Sequence, residues 1–159
     1  MERQFCTRSF PLGLVLQQVV IGMAEAFRSG LVPLIEHGAN VESVDVMGND
    51  AFMFASIFGR PKNLERWLER VKDWDLSRQN TVVGGCALGN AVYMGANKLE
   101  TVKVLLDAGA SLDFRTFGGG NVLTNAVENE DADPDVLRLV LEKVKSSYSA
   151  KEFSLIMNY

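Results

Sequence analysis

The sequence predicts an all-α protein: a stack of about four helix-turn-helix repeats with long connecting turns. Three observations predict it. First, a phrase returns: Gly-Ala-Asn-Val at 38–41 comes back as Gly-Ala-Ser-Leu at 109–112. Second, independent markers keep one spacing. Val41, Leu76 and Leu112 are 35 and 36 residues apart, and Phe52, Leu88 and Leu123, Ala55, Ala91 and Ala126, and Gly48, Gly84 and Gly119 repeat it within one residue. Third, the apolar residues between these markers fall at helical steps, as in Leu64, Trp67, Leu68 and Val71. A fixed period of this length marks a stack in which each repeat buries its apolar stripe only against its neighbours.

The elements follow in order. Residues 1–11 read as an arm ending at Pro11. From Leu12 to Phe27 apolar residues recur at three- and four-residue steps, giving one broad helical face. Leu31–His37 is a short partner helix, with Pro33 tolerated in its first turn and Gly38 as its stop. This pair is expected to cap the stack. Asp45, Gly48, Asn49 and Asp50 then supply turn chemistry. A helix is expected at about 51–58, and Pro61 opens its partner, with Glu65, Arg66, Glu69 and Arg70 on the outer face. The turn at 72–85 holds Trp74 where the other copies have Ala39 and Ala110, so the indole either fills a larger gap or lies on the surface. Helices at about 87–94 and 99–108 form the next pair, ended by Gly95 and Gly109. The last pair spans about 121–128 and 135–145, with Asp133 as N-cap and Pro134 at the first helical position. Residues 146–159 depart from the repeat and are expected to act as a C-terminal cap or tail, with a short helix at 151–157. The predicted organisation is therefore an arm at 1–11, a repeat domain at 12–145 and a cap at 146–159.

Two of these phrases carry a resemblance. Val-Lys-Val-Leu-Leu-Asp-Ala-Gly-Ala-Ser-Leu-Asp at 102–113, and Leu-Ile-Glu-His-Gly-Ala-Asn-Val at 34–41, resemble the second helix and exit turn of an ankyrin repeat. The resemblance covers roughly residues 20–144. The family's Thr-Pro-Leu-His motif is replaced by Asp50-Ala-Phe-Met53, Cys86-Ala-Leu-Gly89 and Asn121-Val-Leu-Thr124. The lost Thr and His normally tie neighbouring repeats by hydrogen bonds, so a less regular stack, closed by apolar packing instead, is expected. The period exceeds the usual ~33 residues, which implies longer loops.

Composition narrows the function. Of 159 residues, 47% are hydrophobic, enough for one globular core. The net charge is −4 with no dense Lys/Arg block, which argues against nucleic acid or an anionic membrane as partner. Cys6 and Cys86 match no metal or redox spacing and read as free thiols of a reducing compartment. The most apolar stretch, Leu12–Ala24, is broken by Gln17, Gln18 and Gly22 and is too short for a membrane span. An intracellular, cytoplasmic protein is expected; Arg3 and Arg8 in an acid-free stretch keep organelle import open.

Chemical motifs are absent from the pattern. His37, the one histidine, precedes Gly38 at a predicted helix C-terminus, where the dipole favours partial positive charge. The acidic run 128–135 lacks the glycine and terminal Glu of a calcium loop. Gly118-Gly119-Gly120 has no following Lys-Ser/Thr, so a turn explains it better than a phosphate loop. The expectation is a non-enzyme with no cofactor and no metal.

The resemblance implies that partners bind along the concave first helices and the turns that project beyond them as fingers. The exposed helix positions should be Ile57 and Phe58, Tyr93 and Met94, and Glu128 and Asn129. The finger tips should be Val46–Asn49, Arg78–Val83 and Arg115–Gly118. From these come the candidate partner-binding residues Phe58, Tyr93, Met94, Phe117, Arg78, Asn80, Asn49 and Arg115. Rigid aromatics suit binding hot spots; the competing reading folds Phe58, Tyr93 and Phe117 inward to patch irregular packing. The expected function is protein–protein interaction with another protein. An accessory subunit of a larger assembly, and a pocket protein with a cavity under the 72–85 turn, are the alternatives.

Overall fold

A computed structural model describes residues 40–128, 130–149 and 151–152. The predicted arm, the helices at 12–27 and 31–37, His37, Cys6, Asn129 and residues 153–159 lie outside the described residues.

Among the described residues, six helices alternate between short and long. They are α1 (Ala51–Ile57), α2 (Pro61–Arg70), α3 (Ala87–Met94), α4 (Lys98–Asp107), α5 (Val122–Val127) and α6 (Pro134–Ser147). Each short helix packs on the long helix after it. The short helices α1, α3 and α5 also contact one another in order, as do the long helices α2, α4 and α6. Two rows of helices result, joined pair by pair.

The period markers become structural equivalents. Phe52, Leu88 and Leu123, with Ala55, Ala91 and Ala126, are all buried between the rows. Leu64 and Trp67 on α2, Val102 and Leu105 on α4, and Val136, Val140 and Val144 on α6 meet them from the other side. Gly48, Gly84 and Gly119 all take a positive φ, at 79°, 68° and 87°. Glycine is the residue that enters this region without a Cβ penalty, so the repeated glycine marks one repeated turn.

The residues replacing the family motif start the helices. Asp50 accepts a hydrogen bond from the Met53 amide at 2.8 Å. Asn121 accepts from the Thr124 amide at 3.0 Å while Thr124 Oγ1 accepts from the Asn121 amide at 2.7 Å, a reciprocal capping box. The weaker Cys86 Sγ accepts from Gly89 at 3.4 Å. Asp133 caps α6 through the Asp135 amide, with Pro134 following.

Apolar packing between the helix pairs is joined by hydrogen bonds that the sequence pattern did not foresee. Each finger is a closed turn: Asp45 donates to Asn49 O, Asn80 to Gly85 O and Thr116 to Gly120 O, all at 2.9 Å. Successive fingers are then linked by main-chain bonds of 2.9 Å, from Thr81 N to Met47 O and from Phe117 N to Val83 O. Side chains add Gln79 Nε2 to Arg115 O at 2.7 Å and Asn125 Nδ2 to Gly89 O at 3.3 Å. On the far side of the short helices, the Ala96 amide donates to Ile57 O at 3.0 Å. Polar cross-links spaced by about one repeat therefore tie successive repeats together.

Trp74 fills a gap rather than lying free. It is half-buried, meets Trp67 edge-on at 4.9 Å between centroids, and lies 6.1 Å from Phe52. Arg78 covers its other face at 4.7 Å, a cation–π contact.

Candidate functional site

The exposed apolar side chains of the described residues are not scattered. Val44, Val46, Met47, Val82, Val83 and Phe117 lie on or beside the fingers. Phe58, Tyr93, Met94 and Val127 lie at the C-terminal ends of the short helices α1, α3 and α5. The long helices carry no large apolar side chain in the exposed class. Isolated exposed apolar residues need no explanation, whereas a group of them is a candidate interaction surface.

Local structure explains the placement. A closed finger leaves its tip without a packing partner, and a short helix ends where the chain leaves the core. Met94 is the last residue of α3 and Phe58 the C-cap of α1. Phe58 stacks on Phe54, with ring centroids 6.1 Å apart and planes 14° apart.

Between the second and third fingers lies an open hollow of about 440 Å³. Val83, Tyr93, Met94 and Phe117 give it apolar walls, and Asn90 and Asn125 bring amides to it. Among the described residues, Glu128 is its single carboxylate, and the lining has no His, Cys, Lys or Arg. The Asn90 side chain is 94% buried by its 6% exposure, and its Nδ2 has no hydrogen-bond partner. Phe117, 67% exposed, stands over Gly84, where an added Cβ would come within 2.7 Å of the ring.

The candidate residues separate into two groups. Tyr93, Met94 and Phe117 converge on this hollow, whereas Phe58 is exposed on the preceding repeat and does not line it. Asn49 and Asn80, expected at exposed finger tips, are corrected: their exposures are 5% and 4%. Asn80 Nδ2 donates to Asn49 Oδ1 at 3.0 Å, and Asn80 Oδ1 accepts from the amides of Val83 and Gly84. These amides replace main-chain partners that a tight turn lacks, so the two asparagines support the fingers from within.

Arg78 is half-buried and held in place. It bonds to Glu42, pairs with Asp50 at 3.1 Å and stacks on Trp74. The bond to Glu42 raises its pKa further above the usual guanidinium value. Burial pushes the Asp50 carboxyl up, against the Met53 amide and Arg78, which favour its charged form. Arg115 is half-buried and turns its Nη1 back to Phe114 O at 3.0 Å. The sequence pattern missed Val127, Asn90 and Asn125. Val82 lies within the expected 78–83 finger tip but was not among the candidate residues, although it stands 36 residues after Val46.

The motifs without a chemical reading take structural places. Burial raises the Cys86 thiol pKa, and the thiol caps α3. In the acidic run, Asp133 caps α6, Asp135 pairs with Arg138 at 2.9 Å, and Asp131 O accepts from Lys98 Nζ at 2.7 Å. No group of three or more metal-ligating side chains forms among the described residues. No described helix is long and apolar enough to cross a membrane.

Comparison with known proteins adds a similarity. The chain is 33% identical over 116 residues to "Ankyrin repeat domain-containing protein SAT10" of Stachybotrys chartarum. By sequence, the chain is ankyrin-like. It is also 31% identical over 114 residues to "Phosphocholine transferase AnkX" of Legionella pneumophila. Each match covers 70% of this chain but only 6% and 11%, respectively, of those proteins. No family model matches the chain.

Proposed function

We propose that this chain is a non-enzymatic protein-interaction module that binds a partner through its fingers and the ends of its short helices. One observation carries the reading. All the exposed large apolar side chains of the described residues gather on the fingers and short-helix ends, and the long helices keep none. Helices stacked on their neighbours hold the core together, and the projecting side chains are left for recognition. The similarity to an ankyrin-repeat protein supports the same reading. The transferase similarity covers too little of that protein to bring an activity with it. Among the described residues the hollow has one carboxylate and no His, Cys, Lys or Arg beside it, which favours binding over catalysis. The buried thiol of Cys86 fits a reducing, intracellular setting.

The test is a paired replacement. Tyr93 and Phe117 come from different elements and face one hollow. Replacing both by Ala should weaken partner binding by roughly 10- to 1,000-fold, at ~1–2 kcal/mol per anchor. The melting midpoint should stay near that of the parent. A double variant that binds its partner as well as the parent would remove this surface from the function. One that unfolds early would make the two rings core residues.

A further inference from the structure

We infer that the hollow between the second and third fingers receives an extended segment of the partner, carrying an apolar side chain next to a Lys or Arg. This rests on the protein-interaction reading above and adds the chemistry of the bound segment.

Three features of the hollow carry it. The first is size and lining. At about 440 Å³ between Val83, Tyr93, Met94 and Phe117, it holds one or two apolar side chains. A helix about 10–12 Å across does not fit such a space.

The second is the floor. Asn90 Nδ2 is a buried donor with no acceptor. Leaving such a donor unmet costs about 1–3 kcal/mol, so a ligand that supplies an acceptor gains by it. An extended segment has free main-chain carbonyls, whereas a helix has committed most of its own internally. A small turn of the Asn90 amide towards a bound carbonyl completes the bond.

The third is charge. Glu128 stands at the edge of the hollow, and Glu130, Asp131, Asp133 and Asp135 follow it. No Lys or Arg occurs between Arg115 and Arg138. The nearer cations are occupied: Lys98 bonds the main chain at Asp131, and Arg138 pairs with Asp135. A cationic side chain beside the apolar anchor complements Glu128, and an acidic one is repelled.

The experiment is selection of random peptides displayed on phage against the full chain, at low salt. Enriched peptides should place Lys or Arg next to Leu, Met or an aromatic residue. A fluorescein-labelled copy of an enriched peptide should lose about 5- to 10-fold in affinity against Asn90→Ala. That variant should melt no lower than the parent, because it removes an unmet donor. Glu128→Lys should cost about 3- to 10-fold at low salt and much less at high salt, as expected of an exposed charge. Enrichment of acidic peptides, no enrichment, or indifference to both variants overturns the inference. Peptides of other chemistry that still depend on Tyr93 and Phe117 would overturn it while leaving the interaction surface intact. Peptides that bind regardless of Tyr93, Phe117, Asn90 and Glu128 would overturn both.

Discussion

Gly59→Ala should be among the most damaging single-methyl additions in the described residues. Gly59 joins α1 to α2 with φ +59°, and an ideal Cβ there would lie 2.0 Å from Ala96 O and 2.4 Å from its carbonyl carbon. Ala96 belongs to the next repeat, and its amide bonds Ile57 O at 3.0 Å. Three costs arise. The left-handed conformation costs an Ala about 1–2 kcal/mol. Pushing the two loops apart costs about 1–3 kcal/mol, as overpacking does. Losing the Ala96 bond adds about 1 kcal/mol. The expected total is about 3–5 kcal/mol, the weaker terms being partly relieved by movement. Gly109 and Gly119 provide the control. Both have positive φ, +89° and +87°, but an added Cβ would meet nothing within 4 Å. Their Ala variants should therefore lose only the conformational term, about 1–2 kcal/mol. Urea titration of the three variants reads the difference, and hydrogen exchange at the Ala96 amide should accelerate only for Gly59→Ala. Equal losses at all three glycines would refute the idea that adjacent repeats touch main chain to main chain at this loop.

Other replacements test other layers. Leu105→Ala, at a fully buried site on α4, should cost about 2–5 kcal/mol, whereas the exposed Glu65→Ala on α2 should stay within about 0.5 kcal/mol of the parent by thermal or urea melting. Asp50→Ala removes the α1 cap and should cost about 1–2 kcal/mol, while Asp50→Asn keeps an acceptor and should cost less. Because burial raises the Asp50 pKa, its folded form keeps the proton to higher pH than the unfolded form. The parent's advantage over Asp50→Asn should thus shrink as pH rises through the acid range, and a growing advantage in urea titrations would contradict this. Tyr148 is pushed up to about 12, first by burial and then by its bond to Asp113. Its contribution is present below pH 10 and should be lost between pH 10 and about 12; Tyr148→Phe should lack that alkaline loss, read by melting against pH.

The helices were legible because their signals are local. Asp133 announces the start of α6, and the Phe52, Leu88 and Leu123 register finds the core, whereas Asp50 was read only as turn chemistry and Asn121 as the first residue of its helix. Tyr93, Met94 and Phe117 meet at one hollow, and it was the family resemblance, not the period, that placed short-helix ends and fingers together. Asn49 and Asn80 were misplaced for a physical reason. A polar residue in a turn looks solvent-facing, yet an amide that bonds turn amides and a second amide is stable inside. Trp74 was undecidable in sequence because two of its neighbours, Phe52 on α1 and Trp67 on α2, lie outside its own turn. The packing of Phe114 on Gly89, where a Cβ would meet the ring at 2.8 Å, shows the same limit. A glycine that makes room for an aromatic from the next repeat leaves no local trace.

Two of the links between fingers run from Thr81 N to Met47 O and from Phe117 N to Val83 O, through main-chain atoms alone. Any residue other than proline supplies those atoms. The alphabet at the tips is therefore free to change while the frame stays aligned. Val46, Met47, Val82 and Val83 can be rewritten like letters on a fixed line, provided Gly48, Asn80 and Gly84 keep the shape of each loop. A finger of this kind is an exchangeable cassette, and a new specificity can be grafted onto the chain without redesigning the helices beneath it.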